Sequence, residues 1–441
     1  MIGWTPSWNA DWALAGGCVA EIGSVPRMHS SPAKQYLPDV LICGLNYPPE
    51  QTGVAPYTGA LATGLAQLGY RVKAYVAHPH YPEWEIREGY GAWATTERCA
   101  GVELHRLRHY VPKKPRGIWR LLSELSFGLR LFFCRTGSPH VVIAVSPSLF
   151  STALLLVRLR LTPRRPRVAV WVQDIYTLGL TEIDEGGGLS RRIAQWAEAR
   201  TLRAADSVVV IHDRFKGFVT QELGVPADKV AVVRNWTHLP PWEPLERAAA
   251  KKQLGWPEDV TLAVHTGNMG AKQGLETVID AAKRAADGGL PVQFVLIGDG
   301  GERQALELAA SGCPRVTFLD PLDDHDYRLA LAAADVLLVN EKPGVASMAV
   351  PSKLTSYFAA GRPVVAATDP TGIAASEITA AEAGVVVSAG EPDSLLEAII
   401  DLRGDEDTAA RFGANGKRYR ESVLDQTAAI QRWAKVIDDL A

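Results

Sequence analysis

Lys353 sits in a run, Pro351-Ser352-Lys353, that opens a short amphipathic segment ending at Gly361. The run lies between two apolar stretches, 335–339 (DVLLV) and 363–367 (PVVAA). Ser352 is suited to N-cap a helix and Gly361 to occupy the C′ position. A helix that starts at the carboxyl edge of a parallel strand presents free N–H groups and a partial positive charge, and here a lysine as well. That combination suits a diphosphate. An ordinary strand-to-helix turn has the same residue types, so partners elsewhere in the chain decide between the two.

The bulk numbers narrow the classes. A chain of 441 residues calls for about two domains, because single cores stop growing near 250–300 residues. A net charge of −3 with 22% charged residues argues against a nucleic-acid binder. The five cysteines are scattered and odd in number, with no CxxC pair, which suits a reducing cytoplasm and offers neither a disulfide framework nor a zinc site. No apolar run approaches the roughly 18–20 residues of a spanning helix. Residues 1–37 hold Trp4, Trp8 and Trp12 with little periodicity and no basic start before an apolar core. They read as a loose tail (1–38), or as an over-extended start with Met28 the true initiator.

From Asp39 the pattern alternates strand, Gly-rich turn and helix. DVLICGLN, RVKAYVA, VELHRLRHY, HVVIAV, RVAVWVQD and SVVVIH read as strands. RNWTHLPPWEP, rich in proline and tryptophan, reads as a linker (235–245), after which the grammar restarts with VTLAVHTG, PVQFVLIG, RVTFLD, DVLLV, RPVVAA and AGVVVS. Helices are expected over 276–286, 302–310 and 326–333, and all-helix chain after Asp393. The expected architecture is α/β: a Rossmann-like domain over 39–234, a second over 246–415, and a terminal helix over 416–441. Ligands of such domains bind at the carboxyl ends of the strands.

At this point the residues resemble a known family. YPPEQTGVAPYTG, AHPHYPEWEIREGY, VQDIY, RNW, HTGNMGAKQGLE, LIGDGGER and VPSKLTSYFAAGRPVV, in that order, are similar to the GT-B glycosyltransferases of family 4. Within that family the chain resembles the bacterial fucosyl- and N-acetylfucosaminyltransferases of capsule, colanic-acid and O-antigen assembly. The resemblance implies two Rossmann-like domains facing across a cleft, and retaining transfer of a sugar from a nucleotide sugar with no metal required. It implies a second-half pocket for the donor nucleotide.

Within that frame, Gly267 and Gly270 let backbone approach a pyrophosphate. Lys272 or Lys353 would neutralise the departing nucleoside diphosphate, which contributes more to rate than holding the ground state. The common family pattern has an arginine and a lysine where this chain has Asn268 and Gln273. The two glutamates that the family spaces eight apart fall here on Met348 and Ser356, and Glu341 lies seven residues before the first. Gly298 and Asp299 would line the nucleotide pocket, with Ser352 at its helix start and Ser356 able to donate to a ribose. In the first half, Gly53 would face the donor phosphates, and Tyr57, His78 and His80 are candidates for acceptor contacts. Asp174, at a strand's carboxyl end, could position the acceptor hydroxyl or merely cap a turn. No carboxylate pair reads as a double-displacement nucleophile and acid, so a front-face mechanism is implied, the leaving phosphate helping to deprotonate the acceptor.

Residues 111–135, VPKKPRGIWRLLSELSFGLRLFFCR, carry an apolar stripe (Ile118, Leu121, Leu122, Leu125, Leu129, Phe132, Phe133) rimmed by Lys113, Lys114, Arg116, Arg120, Arg130 and Arg135. The stripe alone fits a helix packed on its own sheet. The basic rim, and a second apolar run at 154–161 followed by PRRPR, fit a surface lying on anionic lipid. The expected enzyme is therefore a hexosyl- or glycosyltransferase at the inner face of the plasma membrane. It would move a 6-deoxy or N-acetylated amino sugar to a polyprenyl-diphosphate-linked glycan. A water-soluble acceptor, a GT-B nucleotide-sugar epimerase and a catalytically inactive GT-B partner subunit remain as rivals.

Overall fold

The structure is a computed structural model that describes residues 37–50, 53–114, 117–177, 188–237, 245–344 and 353–441. The tail, Thr52, Arg116, most of the expected linker, Met348 and Ser352 lie outside the described residues. The chain divides into two compact units, one formed by residues up to Arg234 together with Ile430–Ala441, the other by Asn235–Ala429.

In the first unit the elements run β1 (Asp39–Gly44), α1 (Ala55–Gln67), β2 (Arg71–Ala77), β3 (Ala94–Cys99) and β4 (Val102–Leu107). There follow α2 (Ile118–Phe133), β5 (Val141–Ser146), α3 (Leu149–Arg160), β6 (Arg167–Val172), α4 (Gly188–Arg203), β7 (Ser207–Val210), α5 (Asp213–Gln221) and β8 (Val230–Val232). The sheet order is β3-β4-β2-β1-β5-β6-β7-β8, parallel except for the β3–β4 hairpin. Its central strands are nearly continuous buried runs because helices cover both faces; β5 is buried at every residue. The chain order reverses between β1 and β5, so the crevice at their carboxyl ends is the natural ligand position.

The second unit runs α6 (Arg247–Leu254), β9 (Thr261–Thr266), α7 (Glu276–Asp287), β10 (Val292–Ile297), α8 (Arg303–Ala309), β11 (Val316–Leu319) and α9 (Asp324–Ala333). It continues with β12 (Val336–Asn340), α10 (Lys353–Ala360), β13 (Val364–Thr368), α11 (Ile373–Ala381), β14 (Gly384–Ser388), α12 (Pro392–Gly404) and α13 (Glu406–Ser422). Its six strands are all parallel, in the order β11-β10-β9-β12-β13-β14, with the switch point between β9 and β12. Gly361 has φ +63° and ends α10, as its place in the sequence suggested.

The terminal segment departs from the expected single helix over 416–441. Chain after Asp393 forms α12, α13 and α14 (Gln426–Leu440), broken at Asp405, whose carboxylate caps Thr408 N–H, and again before Gln426. The end of α14 belongs to the first unit, where the Trp433 ring meets Trp171 edge-on at 5.1 Å and Asp438 accepts from the Tyr70 hydroxyl at 2.7 Å. Gly64 makes this docking feasible, since a Cβ there would lie 2.2 Å from Ile430 Cδ1.

Candidate functional site

In the second unit, β9 ends at His265-Thr266 and the chain turns at Gly267, whose φ of +114° demands glycine. Lys353 opens α10 beside that turn, with Nζ 3.5 Å from His265 Nε2. The helix start is fixed from one turn further on. The buried Tyr357 hydroxyl accepts from Thr266 N–H at 2.9 Å and donates to the Leu338 carbonyl at 3.3 Å, tying α10 to both strands at the switch point. Burial holds His265 neutral, its pKa pushed far down, with the Lys353 charge acting the same way. Burial also lowers Lys353 to about 8, opposed by Glu341. Glu341 follows β12 directly, is itself buried, and accepts a hydrogen bond from the Thr368 hydroxyl. Its pKa is raised by burial, against the pull of Thr368 and Lys353. The arrangement is an ammonium in a low-dielectric corner whose hydrogen-bond partner is a neutral imidazole, and such a charge is strongly drawn to an anion.

The glycine-rich loops after β9 and β10 interlock through backbone. Gly267 N–H donates to the Ile297 carbonyl (2.9 Å), Met269 N–H to Asp299 (2.8 Å) and Glu302 N–H back to Met269 (2.9 Å). A Cβ at Gly298 would stand 2.0 Å from the Gly267 carbonyl oxygen, and one at Gly300 2.5 Å from that of Met269. LIGDGGER is therefore built around a crossing of two main chains. Asp299 is exposed, and its carboxylate accepts from Gly300 N–H at 2.8 Å. Gln273 Oε1 accepts from Gly270 N–H at 3.1 Å and lies 3.5 Å from Asn268 Nδ2, so all three hold the turn itself. Lys272 presents an exposed side chain from a one-turn 3-10 helix, Ala271–Gln273, and its carbonyl accepts from Lys342 N–H at 2.9 Å. Ser356 is buried on α10, one turn beyond Lys353. The structure thus gathers Lys353, Gly267 and Ser356 at the switch point and adds His265, Glu341 and Tyr357, to which the sequence reading gave no site role.

In the first unit, Gly53 precedes α1 with φ +65°, and a Cβ there would meet the Tyr81 ring at 3.4 Å. Tyr57, half-buried on α1, has its phenol pushed up to about 12 by burial. The His78 ring is turned to structure: its Nε2 meets the Ala92 carbonyl at 2.8 Å. His80 is buried between two residues that the sequence did not single out, Glu50 and His109. Asp174 is exposed after β6, where its charge helps to raise the buried Glu198, a carboxylate that accepts from Tyr176 and Thr177 N–H at 2.8 and 3.0 Å.

Helix α2 resolves its own ambiguity. It packs on α3 through Ser123, Glu124, Phe127, Gly128 and Leu131; a Cβ at Gly128 would lie 2.8 Å from Ser151 Cα. Glu124 accepts from Phe150 N–H at the start of α3 (3.1 Å), is raised to about 7 by burial, and lies 3.5 Å from Arg120. Much of the apolar stripe faces outward instead, with Ile118 60% and Phe133 78% exposed, alongside Leu122 and Leu129; Trp119, next to the stripe, is 52% exposed. Arg130 stacks on the exposed Trp93 ring at 3.6 Å. No described helix is long and apolar enough to cross a membrane. The one three-ligand metal geometry among the described residues, Asp323, His325 and Asp326, is exposed; Asp323 caps Asp326 N–H at 2.9 Å, and His325 Nδ1 lies 3.0 Å from the Asp326 carboxylate.

Known proteins match the chain over both units. Residues 52–236 match the family model for a glycosyl transferase 4-like domain and residues 246–419 that for glycosyl transferases group 1. A protein of Escherichia coli (strain K12) named as a colanic acid biosynthesis glycosyl transferase, WcaI, is 32% identical over 407 residues, covering 88% of this chain and 98% of its own. Among solved structures, the sucrose-phosphate synthase of Thermosynechococcus elongatus superposes with a TM-score of 0.65 at 17% identity, over 91% of this chain and 99% of its own. HepE of Anabaena, in complex with UDP-glucose, gives 0.60 at 15% identity, over 91% and 100%.

Proposed function

This chain belongs to the glycosyltransferases, with the two Rossmann-like domains of the GT-B fold, and we propose that it moves a sugar from a nucleotide-sugar donor to a lipid-linked glycan during surface-polysaccharide assembly. The observation that carries this reading is Lys353, a half-buried ammonium at the switch point beside a neutral imidazole. Its charge meets the diphosphate of the donor as the glycosidic bond breaks, and the growing negative charge on the leaving group strengthens that contact. The transfer retains anomeric configuration, the departing phosphate oxygen accepting the proton of the acceptor hydroxyl. Lysine and helix start neutralise the leaving group, so no metal is required. The donor sugar belongs to the 6-deoxy or N-acetylated amino class, as implied by the resemblance of the whole motif set, YPPEQTGVAPYTG through VPSKLTSYFAAGRPVV.

The outward apolar stripe of α2 supports a polyprenyl-diphosphate-linked acceptor and peripheral attachment to the inner, anionic face of the plasma membrane. A melting screen of purified protein against UDP, GDP, dTDP and ADP, free and as sugar conjugates, tests the donor assignment. A ligand at 100 times its dissociation constant stabilises the native state by about 2.7 kcal/mol. A shift selective for one base, lost in Lys353→Ala, is expected; no shift with any of them would overturn the reading.

A further inference from the structure

Three buried histidines meet in the first unit where β2 and β4 end, beside the chain that leaves β1. His80 Nδ1 lies 2.9 Å from the His78 carbonyl oxygen, an atom that only accepts. A single ring proton therefore sits on Nδ1, and Nε2 then carries the lone pair. Glu50 fixes this geometry. Its Oε1 accepts from His80 N–H (2.8 Å) and Tyr81 N–H (2.9 Å) and lies 3.4 Å from His80 Nδ1, while Oε2 accepts from Asn46 Nδ2 at 2.9 Å. His109 stands edge-on to His80 at 4.8 Å between ring centroids, 7% exposed, and among the described residues neither of its ring nitrogens finds a hydrogen-bond partner; nor does His78 Nδ1. Burial, then the two neighbouring histidines, push His109 down to about 3, so it is neutral and carries one donor and one acceptor nitrogen. Trp84 closes the group edge-on to His80 at 5.6 Å and holds φ +53°, a left-handed conformation that a bulky side chain seldom adopts.

Orphaned buried nitrogens are costly and call for a partner, which none of the described residues supplies. A metal is a poor fit, since these histidines do not bring three ligand atoms within 4.8 Å of one another. An anion would meet the neutral His109 ring and the Glu50 carboxylate. A hydroxyl, which donates and accepts at once, matches neutral imidazoles of both polarities.

We propose that His80, His109 and Trp84 form the acceptor-sugar subsite of this enzyme, with His80 Nε2 receiving a hydrogen bond from a glycan hydroxyl and Glu50 acting as the positioning residue that orients His80. The subsite rests on the glycosyltransferase reading above. The test uses full-length protein, the nucleotide sugar chosen by the melting screen, and membranes from a host strain lacking this chain, which hold the natural acceptor. His80→Ala and His109→Phe are expected to lower kcat/KM for the membrane acceptor at least about tenfold, chiefly through KM. His80→Gln should recover part of that loss, because its amide can still meet the hydroxyl. Glu50→Gln should raise acceptor KM in wild type but add nothing in the His80→Ala background, which a merely structural carboxylate would not reproduce. Donor-induced melting shifts should stay at wild-type size throughout. Wild-type acceptor KM in His80→Ala and His109→Phe, with donor shifts intact, would overturn the subsite and leave the transferase reading standing. Absence of both donor shift and transfer in the unmodified protein would overturn the transferase reading, and the subsite with it.

Discussion

Lys353 Nζ and His265 Nε2 lie 3.5 Å apart across the turn from β9 to Gly267, an ammonium facing an imidazole that burial keeps neutral. An ammonium so placed has given up water without gaining a full counter-charge, which favours binding an anion over holding the fold together. Lys353→Ala should therefore lower kcat/KM by roughly 10²–10³, the usual effect of deleting one group that stabilises a leaving charge. Lys353→Met, close in volume, should melt no lower than wild type, and a marked fall in its melting temperature would recast Lys353 as a structural residue.

The same pair sets a pH dependence. Lys353 is lowered to about 8 from an ordinary 10.5, so between those values the unfolded chain binds more protons than the folded one. Stability of the ligand-free protein should rise with pH across that window. Donor binding requires the charged lysine, so affinity for the nucleotide sugar should fall above pH about 8. Glu341 opposes the lysine's shift. Glu341→Gln removes that opposition and should move the alkaline fall in affinity to lower pH. Titration calorimetry from pH 6 to 10 on both proteins checks this, and coincident profiles would separate Glu341 from the site.

The main frame was legible because strands buried on both faces are written as apolar runs, as in HVVIAV and DVLLV. Strand β3 was not, since ATTERC is a half-exposed edge strand without an apolar run. Lys353 and Gly267 were legible from helix-start and turn chemistry. Glu341 carries no local signal of a site role, since the positions where the family spaces its glutamates fall here on Met348 and Ser356. Its role depends on Thr368 and Lys353, residues brought to it only by the sheet. Glu50 and His109 carried no local signal either. One ends a proline-rich turn and the other follows a strand, and only the order β4-β2-β1 brings them to His80.

The crossing of main chains at Gly298 gives a sharper stability prediction. A Cβ there would stand 2.0 Å from the Gly267 carbonyl oxygen, and φ is +140°, so neither space nor conformation admits a side chain. Gly298→Ala should cost more than about 2 kcal/mol and weaken donor binding, because the loop that yields is the one beside Lys353. Gly301→Ala, three residues past the β10 loop's closest approach and with nothing within 4 Å of its Cβ, is the control and should unfold like wild type in denaturant.

The outward face of α2 makes the remaining prediction, and its internal contacts decide which residues test it cleanly. Arg120 lies against the buried Glu124 and Arg130 is stacked on Trp93, so reversing either charge would disturb the fold as well as the surface. Lys113, Lys114 and Arg135 are exposed, and none of them forms an ion pair with a described residue. Converting these three to glutamate should release the protein from vesicles rich in phosphatidylglycerol, each cation contributing about 1 kcal/mol near an anionic surface. Replacing Ile118, Leu122 and Phe133 together by serine should do the same on vesicles of any charge, since a fully inserted apolar side chain contributes about 1.5–3 kcal/mol. The melting temperature should hardly move in either variant, because the buried face, Ser123 to Leu131, is untouched. Flotation that survives both sets of changes would remove the membrane role of this helix, leaving its exposed apolar face to a protein partner.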